Sequence, residues 1–290
     1  MNLLFTIAHF FDPGGGAFYG STGPNAQARL QSLRNTITAL HQHFGDNQAK
    51  LIQTGRTVLE PVNVDKTNNV QVMVATTGDQ HLLGELGLST DYYEHAPTDA
   101  EGMHLGFECQ KLLRDRLGDF DFYCYLEDDL ILQDADFFTK LSWFASHAPA
   151  DAVLLPNRFE LAVGEEHNKL YIDGGISPAI ASRWQNIDHR HRIRGKVMGH
   201  EIRFEKTNNP HSGCYFLNEG QMRAWCDAPH FLDYDTAFGG PLESAATLGL
   251  MKSFHLYKPA ARNASFLEVH HSHNRYLGQP LKFNYQADGS

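Results

Sequence analysis

The sequence predicts an α/β fold, a sandwich in which helices pack on a central, mainly parallel β-sheet. Runs of β-branched and aromatic residues typical of buried strands occur at residues 3–11, 70–76 and 122–126. Segments with the apolar spacing of helices lie between these runs. Strands that alternate with helices form parallel sheets, and ligands bind beyond the carboxyl ends of such strands. The residues that follow each strand are therefore the first candidates for a site.

The first strand, Leu3–Phe11, leads into a glycine-rich loop at residues 13–24. This loop matches neither phosphate-binding fingerprint, because Ser21 occupies the position of the Walker A lysine and Tyr19 that of the third glycine of the dinucleotide motif. A flexible substrate-facing loop and a plain long turn are both open interpretations. The strand is too short to span a bilayer and no basic residues precede it, so we expect no transmembrane segment and a cytoplasmic protein.

Two helices are predicted from apolar residues spaced three and four positions apart. The first starts after the capping residue Asn25 and stops at Gly45, with a stripe formed by Leu30, Leu33, Ile37, Leu40 and Phe44. A polar stretch separates it from the second strand, Val70–Thr76. The second helix is predicted between a cap at Asp99 and a stop at Gly118, with a stripe formed by Leu105, Cys109, Leu112, Leu113 and Leu117. The third strand follows at residues 122–126.

The composition excludes several classes of protein. The 290 residues include 24 Lys and Arg against 34 Asp and Glu, a net charge of −10, so the chain repels polyanions and we expect no nucleic-acid partner. With 42% hydrophobic and 20% charged residues it is an ordinary globular chain, neither disordered nor a membrane protein. Its 4 cysteines lie far apart, which predicts buried free thiols in a reducing compartment.

An acidic cluster, Glu127-Asp128-Asp129, follows the third strand directly. Like charges this close repel one another unless a cation or hydrogen-bond donors compensate them. The cluster therefore predicts a site for a hard divalent cation, Mn²⁺ or Mg²⁺. A solvated acidic turn or the start of a helix is the alternative.

The segment Tyr125–Leu130, with Asp136-Phe137-Phe138 after it, resembles the D-x-D motif of GT-A fold glycosyltransferases. It has the E-D-D form found in the Golgi N-acetylglucosaminyltransferases that start complex N-glycans. The resemblance implies a Rossmann-type α/β/α sandwich and a nucleotide-sugar donor bound through a metal. It also implies that Asp129 binds the metal, while Glu127 and Asp128 lie near the nucleoside.

Further segments follow in the order that the GT-A fold implies. The stretch 209–217 resembles the loop and strand at the donor sugar, which assigns Gly213 to donor binding. Glu243, in the stretch 238–246, corresponds to the catalytic base of inverting members, with Asp233 and Asp235 as reserve candidates. His271 corresponds to the carboxy-terminal histidine that completes the metal site.

The donor side of this site is also expected to include two residues near the amino terminus. Arg29 lies where related enzymes place an arginine beside the donor diphosphate, and His9 lies in the first strand. Each assignment has a structural alternative. Gly213 would then only form a turn, and Glu243 would only interact favourably with the dipole of its helix. Arg29 would lie on a solvated helix face. His271 would belong to a surface cluster with His273, on one face of a strand.

A basic stretch runs through Arg190, Arg192, Arg194 and Lys196 at alternate positions, which would place all four on one face of a strand. Arg192 and Arg194 are predicted to hold an anionic acceptor, such as a phosphorylated lipid or an acidic sugar. The alternative is a charged stripe that protects an exposed sheet edge from pairing.

Together these features predict a metal-dependent glycosyltransferase. Residues 1–160 would form the nucleotide-sugar-binding half and residues 161–290 the acceptor-binding half of one continuous domain. The donor would be a nucleotide diphosphate sugar, with UDP favoured, and the acceptor a hydroxyl or similar nucleophile on a carbohydrate, a lipid-linked molecule or another substrate. The metal would neutralise the departing diphosphate and Glu243 would accept the acceptor proton, with inversion. If Glu243 only caps its helix, a retaining mechanism stays open.

Three other functions compete with this prediction. A nucleotidyltransferase that makes nucleotide sugars also needs a pair of metal-binding acids, but the glycine loop at residues 14–23 contains no basic residue. A metal-dependent hydrolase could use the acids and the histidines, but the chain has no H-E-x-x-H motif. A divalent-metal or carbohydrate-binding protein would use the same residues without turnover.

Overall fold

The computed structural model describes residues 1–15, 20–55, 57–66, 68–162, 167–273 and 275–277. Gly16 to Tyr19, at the centre of the glycine-rich loop, and residues 278–290 of the expected acceptor half lie outside these ranges. The strands are β1 (Asn2–Ala8), β2 (Ala49–Gln53), β3 (Thr57–Pro61), β4 (Asn69–Thr77), β5 (Glu94–Thr98), β6 (Phe122–Glu127), β7 (Leu130–Ile131), β8 (Ala152–Leu154), β9 (Asn157–Leu161), β10 (Lys169–Tyr171), β11 (Arg192–Val197), β12 (His200–Glu205), β13 (Cys214–Asn218), β14 (His255–Pro259) and β15 (Glu268–His271). The α-helices are α1 (Ala26–Phe44), α2 (Leu105–Arg114), α3 (Phe137–His147), α4 (Pro178–Ala181), α5 (Glu219–Cys226) and α6 (Pro241–Ser253).

The central sheet has the strand order β13-β6-β1-β4-β5 in the described part of the chain. β1 runs parallel to β4 and β6, and β4 runs parallel to β5. Among the described strands of this sheet, β13 alone is antiparallel to its neighbour. The predicted α/β fold with a mainly parallel sheet is therefore confirmed. In the register, Ala8 at the end of β1 lies beside Glu127 at the end of β6, so both strands finish at the same edge.

Alternation along β1 assigns its side chains to two layers. Leu3 and Phe5 pack into a core with α1 and α3, whereas Leu4 packs into a second core with α2, α5 and α6. Successive side chains of a strand point to opposite faces, so a strand that is apolar on both faces must be covered by helices on both. This explains the continuous apolar run of β1 and gives three layers, α/β/α.

The first helix forms as predicted. The Asn25 side chain accepts a hydrogen bond from the backbone N–H of Ala28 at 3.1 Å, and the backbone N–H of Gly45 donates to the carbonyl oxygen of His41 at the other end. The stripe from Leu30 to Phe44 is buried. α1 is therefore fixed at both ends by local interactions and along its length by packing on the sheet.

Other boundaries differ from the predictions. The first strand ends at Ala8 and not at Phe11, and after it the N–H of His9 still donates to the carbonyl of Ala75, while that of Phe11 donates to Gln80 outside the sheet. Asp99 does not cap the second helix. It directly follows β5, and the helix starts at Leu105 after a 3-10 turn over residues 102–104 and ends at Arg114. The hairpin of β2 and β3, which is exposed along most of its length, falls in the polar stretch for which no element was predicted.

Two four-stranded sheets accompany the central one in the described part of the chain, besides the hairpin of β2 and β3. The order β10-β9-β15-β7 joins β15 antiparallel to β7 and parallel to β9, and the order β11-β12-β14-β8 forms the other sheet. All four cysteines are free, and three are buried while Cys226 is partly exposed, so the prediction of buried thiols holds for three. No helix in the described ranges has both the length and the apolar composition to cross a bilayer.

Candidate functional site

The acidic cluster Glu127-Asp128-Asp129 forms a turn at the carboxyl end of β6, which we call the acidic turn. Its position is fixed through its backbone. The N–H of Glu127 donates to the carbonyl of Gly213 at 3.0 Å, and the N–H of Ser272 donates to the carbonyl of Asp129 at 3.0 Å. The carbonyl of Asp128 accepts hydrogen bonds from the hydroxyls of two α1 residues, Ser32 and Thr36. β13, the segment after β15, and α1 therefore hold the turn from three sides and fix the directions of its carboxylates.

Asp128 is fully buried, and both of its carboxylate oxygens face cationic or donor groups. Oδ1 forms an ion pair with the guanidinium of Arg29, and Oδ2 accepts from Nδ1 of His9 at 2.5 Å. The Nε2 atom of His9 accepts from the N–H of Leu82 at 3.1 Å, so the ring proton is on Nδ1. The structure thus brings two predicted donor-site residues, His9 and Arg29, into contact with a third, Asp128, which orients both.

Asp129 faces a more open space, although it is only 9% exposed. Its Oδ2 atom lies 3.5 Å from Nη1 of Arg29, 3.7 Å from Nε2 of His271 and 3.8 Å from Nε2 of His273. Its Oδ1 atom is buried and has no hydrogen-bond partner in the described part of the chain. Burial favours protonation, but the positive charges of His271 and Arg29 outweigh it and keep the pKa of Asp129 below its usual value. Asp129 is therefore an anion near neutral pH.

His271 is oriented by a buried carboxylate that the sequence did not indicate. Its Nδ1 atom donates to Oε1 of Glu160 at 2.9 Å, which leaves Nε2 on the side of Asp129. Glu160 also accepts from the backbone N–H groups of Tyr276 and Leu277. Burial lowers the pKa of His271, but the bond to Glu160 and the charge of Asp129 raise it above its usual value. A carboxylate behind the imidazole is the usual arrangement around histidines that bind metals.

His273 also lies at this site, although β15 ends at His271 and His273 belongs to the turn that follows. The two histidines therefore do not share a strand face as predicted. The ring of His273 reaches the site from the turn, and its Nε2 atom accepts from Nη1 of Arg29 at 3.2 Å. Arg29 thus links Asp128, Asp129 and His273.

The side chains around Asp129 suit a divalent cation only if a substrate supplies further ligands to the ion. Among the described residues, no three His, Cys, Asp or Glu side chains are grouped so that they could hold a metal ion. Mg²⁺ and similar ions commonly bind through one or two protein groups and complete their shell with water and substrate phosphates. Asp129, with its unpartnered Oδ1, and His271, with Glu160 behind it, match that pattern. Arg29 supplies part of the positive charge that the sequence analysis assigned to a metal.

The side chain of Glu127, the first residue of the acidic cluster, lies beside Gly213. Gly213 has φ +62°, and a Cβ atom there would lie 2.6 Å from Oε2 of Glu127, so a side chain at this position would displace the carboxylate. Burial, followed by the charge of Asp129, raises the pKa of Glu127 to about 7. Glu127 therefore carries a proton for part of the time at neutral pH.

Glu243 lies close enough to Glu127 for its charge to contribute to that raised pKa. It occupies the first turn of α6, as predicted, and is partly exposed. Its carboxylate makes no hydrogen bond to any described residue. The reserve candidates Asp233 and Asp235 instead both bind the ammonium of Lys252, at 2.7 and 2.8 Å.

A buried group of charges beside Glu127 was not predicted. The Nε atom of Arg158 donates to Asp173 at 2.9 Å, and the ammonium of Lys258 donates to the same carboxylate at 2.7 Å. Burial favours protonation of Asp173, but Lys258 and Arg158 lower its pKa to about 2. The sequence carries no motif for this group, because β9 (Asn-Arg-Phe-Glu-Leu) and β14 (His-Leu-Tyr-Lys-Pro) mix polar and apolar residues without a recognisable pattern.

The predicted acceptor residues lie on a different part of the fold. Arg192 and Arg194 project from the exposed face of β11, the edge strand of its sheet, and Arg192 pairs with Glu205 at 2.8 Å. Arg190 lies outside the strand with φ +50° and pairs with Asp151, so the four basic residues do not form one stripe. No contact joins Arg192 or Arg194 to the acidic turn in the described part of the chain. Their acceptor role stays a prediction.

No protein-family model matches the chain, and no curated protein matches its sequence. Solved structures similar to it include a CMP:2-keto-3-deoxy-manno-octonic acid synthetase complexed with CTP, at 14% identity and a TM-score of 0.36 over 90% of each chain. They also include mouse xyloside xylosyltransferase 1 in its apo form, at 11% identity and a TM-score of 0.38 over 88% of this chain and 84% of that one. At these identities the likeness concerns the fold and not the chemistry of the site.

Proposed function

We propose that the protein is a metal-dependent glycosyltransferase that moves a sugar from a nucleotide diphosphate donor to an acceptor hydroxyl or similar nucleophile. The observation that carries this proposal is the carboxylate of Asp129 at the carboxyl end of β6. One of its oxygens is buried without a partner in the described part of the chain, and the other lies near His271. A divalent cation that brings its own phosphate ligands would satisfy this oxygen.

Asp129 and His271 would hold Mn²⁺ or Mg²⁺. When bound, the ion would act as a Lewis acid that neutralises charge on the leaving diphosphate. Glu160 keeps Nε2 of His271 on the side of Asp129, and Asp128 holds the guanidinium of Arg29 beside the same carboxylate. Arg29 would contact the phosphates of the donor, because guanidinium groups bind phosphate oxygens through paired N–H donors.

Glu243 would accept the proton of the acceptor nucleophile, and attack opposite the leaving group would invert the anomeric centre. Its carboxylate is partly exposed and is not used by any hydrogen bond in the described ranges, so it is available to accept a proton. General-base catalysis of this kind contributes about 10²- to 10⁴-fold in rate. UDP is the favoured nucleotide because metal-dependent GT-A enzymes, whose D-x-D motif the E-D-D segment resembles, most often use UDP-sugars as donors.

Calorimetric titration with UDP and GDP, each with and without Mn²⁺, tests the donor site. We expect one nucleotide to bind only with the metal, and Asp129→Asn to weaken that binding at least about tenfold. Asp136→Asn is the matched control, because Asp136 is an exposed acid close in sequence that pairs with Lys66 at 2.9 Å. Absence of nucleotide binding by the wild type under all four conditions would contradict the proposal.

Turnover separates the transferase from a binding protein and from a nucleotidyltransferase. With the nucleotide identified, hydrolysis of its sugar derivatives should be measurable, and Glu243→Gln should lower it about 10²-fold while nucleotide binding is retained. Release of pyrophosphate from CTP or UTP in the presence of a sugar would instead identify a nucleotidyltransferase. Binding without any turnover of a panel of nucleotide sugars would identify a binding protein.

A further inference from the structure

The hairpin of β11 and β12 ends in a tight turn with an exposed methionine at its tip. Met198 and Gly199 connect the two strands, and both have positive φ, +47° and +86°. Two-residue turns of this kind favour Asn-Gly, because asparagine adopts the left-handed region more easily than larger side chains do. Met198 is 94% exposed, more than any other large hydrophobic residue in the described part of the chain. The turn therefore presents an apolar side chain to solvent at a position that disfavours it.

The inner face of the hairpin is packed, which fixes the residues that project outward. A Cβ atom at Gly195 would lie 2.3 Å from the ring of Trp143, so the backbone of β11 lies directly on that ring. Side chains alternate along a strand, so the residues on either side of Gly195 project from the opposite face. The outward residues of β11 are exposed and all basic: Arg192, Arg194 and Lys196.

The outer surface of the hairpin has more basic than acidic side chains. We call this surface the basic face; its cations are Arg192, Arg194 and Lys196 on β11, Arg203 on β12 and Arg262 beside them. Its acids are Glu201, which pairs with Arg203 at 2.5 Å, and Glu205, which pairs with Arg192 at 2.8 Å. Arg194 and Lys196 form no ion pair with any described residue.

The cations of the basic face lie close together. The hydrogen bond from Arg203 and the charges of Arg194 and Arg262 lower the pKa of Glu201, which places three cations around one carboxylate. Arg194, Lys196 and Glu201 also line an open depression of about 560 Å³ at the hairpin. The basic face is thus a local positive surface on a chain whose net charge is −10.

Protection of a sheet edge would explain the cations but not the methionine. β11 is the edge strand of its sheet, and basic side chains there hinder pairing with another sheet. That role needs no apolar residue at the tip. An exposed apolar group beside basic side chains instead suits the interface of an anionic bilayer, where the apolar group enters the headgroup region and the cations meet lipid phosphates.

We propose that the hairpin of β11 and β12 docks on an anionic membrane surface, with Met198 in the headgroup region and the basic face against lipid phosphates. Acidic groups elsewhere on the chain oppose this little, because charges more than about 10 Å from the bilayer are largely screened at about 0.1 M salt. A nucleic acid fits less well, because residues 190–203 contain no Tyr, Trp or Phe on which bases could stack. The proposal uses neither the metal nor the nucleotide of the proposed function.

Sedimentation of the full chain with lipid vesicles, in EDTA and without nucleotide, tests this docking. Phosphatidylcholine vesicles with about 30% phosphatidylserine should bind the wild type at about 0.1 M NaCl and release it at about 1 M, and pure phosphatidylcholine should bind it far less. Met198→Asn should weaken binding to the anionic vesicles at least about fivefold. The double variant Arg194→Gln, Lys196→Gln should weaken it at least about tenfold.

Met198→Asn separates docking from folding, because asparagine suits the turn. Its thermal unfolding should occur at the wild-type temperature or above. Leu59→Asn is the matched apolar control, since Leu59 is 66% exposed on β3, and Arg223→Gln is the matched basic control, since Arg223 is exposed on α5 and pairs with Glu219. Both control variants should bind the anionic vesicles as the wild type does.

Three results would overturn the proposal. They are a wild type that does not sediment with anionic vesicles, a folded Met198→Asn variant that binds as tightly as the wild type, and a Leu59→Asn variant weakened as much as Met198→Asn. Binding of heparin without any binding of vesicles would instead identify an acidic polymer as the partner. Failure of Mn²⁺-dependent nucleotide binding would count against the proposed function and leave the vesicle result standing.

Discussion

Gly213 determines where the carboxylate of Glu127 can lie. Gly213 and Gly199 both have positive φ, +62° and +86°, but a Cβ at 199 would meet nothing within 4 Å, whereas one at 213 would meet Glu127. Gly199→Ala should therefore cost only the backbone penalty, about 1 kcal/mol. Gly213→Ala should cost at least about 1 kcal/mol more and should lower turnover, because the carboxylate must move. Urea unfolding of both variants measures the difference, and equal costs would contradict this account.

Asp173 should make the stability of the protein dependent on acid pH. Its pKa is about 2 in the fold, against an ordinary value of 3.8, so the folded state favours the ionised form. The stability that follows, about 2.5 kcal/mol, is fully present above about pH 4 and is lost as the pH falls through 2. Asp173→Asn should unfold more easily at pH 7 by about 3 kcal/mol, because two buried cations lose their partner.

The difference in unfolding free energy between wild type and Asp173→Asn should shrink as the pH falls from 4 to 2. Denaturant titrations at several pH values measure it. Asp136→Asn serves as the control, because its exposed pair with Lys66 should contribute little at any pH. A wild-type advantage over Asp173→Asn that stays constant across this range would show that the carboxylate charge is not what stabilises the fold.

At the scale of elements, the sequence predicts those whose signals are local. α1 has its cap, its stripe and its stop within consecutive residues, and β6 is a continuous apolar run that ends in the acidic turn. The hairpin of β2 and β3 was missed because exposed strands lack an apolar pattern. Its strands pair only with each other in the described part of the chain.

The contact between Glu160 and His271 shows why part of the candidate site could not be predicted from the sequence. Glu160 on β9 lies 111 residues from His271 on β15, and parallel pairing of the two strands brings them together. Arg158 on β9 and Lys258 on β14 also meet at Asp173, although the three residues lie far apart in the sequence. Isolated charges in strands carry no motif, so only the tertiary pairing reveals their role. The E-D-D motif was visible because its residues are adjacent.

Helix α1 carries Arg29, so its amino-terminal cap should affect both stability and the site. Asn25→Ala removes the bond to the N–H of Ala28 and should cost about 1 kcal/mol. Asn25→Asp keeps an acceptor oxygen and should be nearly neutral. Thermal unfolding of the two variants distinguishes them, and an equal loss for both would mean that the side-chain cap does not hold the start of α1.

The chain is acidic overall, yet several buried cations lie at one edge of its central sheet. The net charge is −10, yet Arg29, Arg158 and Lys258 are all buried or nearly so around the acidic turn. The residues that meet there come from α1, β6, β9, β14 and β15 and from the segment just after β1, which together span most of the chain. Open α/β sheets bind their ligands beyond the carboxyl ends of their parallel strands, which is where these residues lie.

The proposed function requires that Asp129 take part in holding a divalent cation together with the phosphates of a nucleotide. Electron paramagnetic resonance of Mn²⁺ tests it directly, because the sharp solution spectrum of aquated Mn²⁺ weakens when the ion is bound. We predict that the wild type, with UDP or GDP present, weakens this spectrum strongly beyond the loss that the nucleotide alone causes, and that Asp129→Asn adds nothing to that loss. Equal loss of the signal with wild type and Asp129→Asn would contradict a role of Asp129 in metal binding.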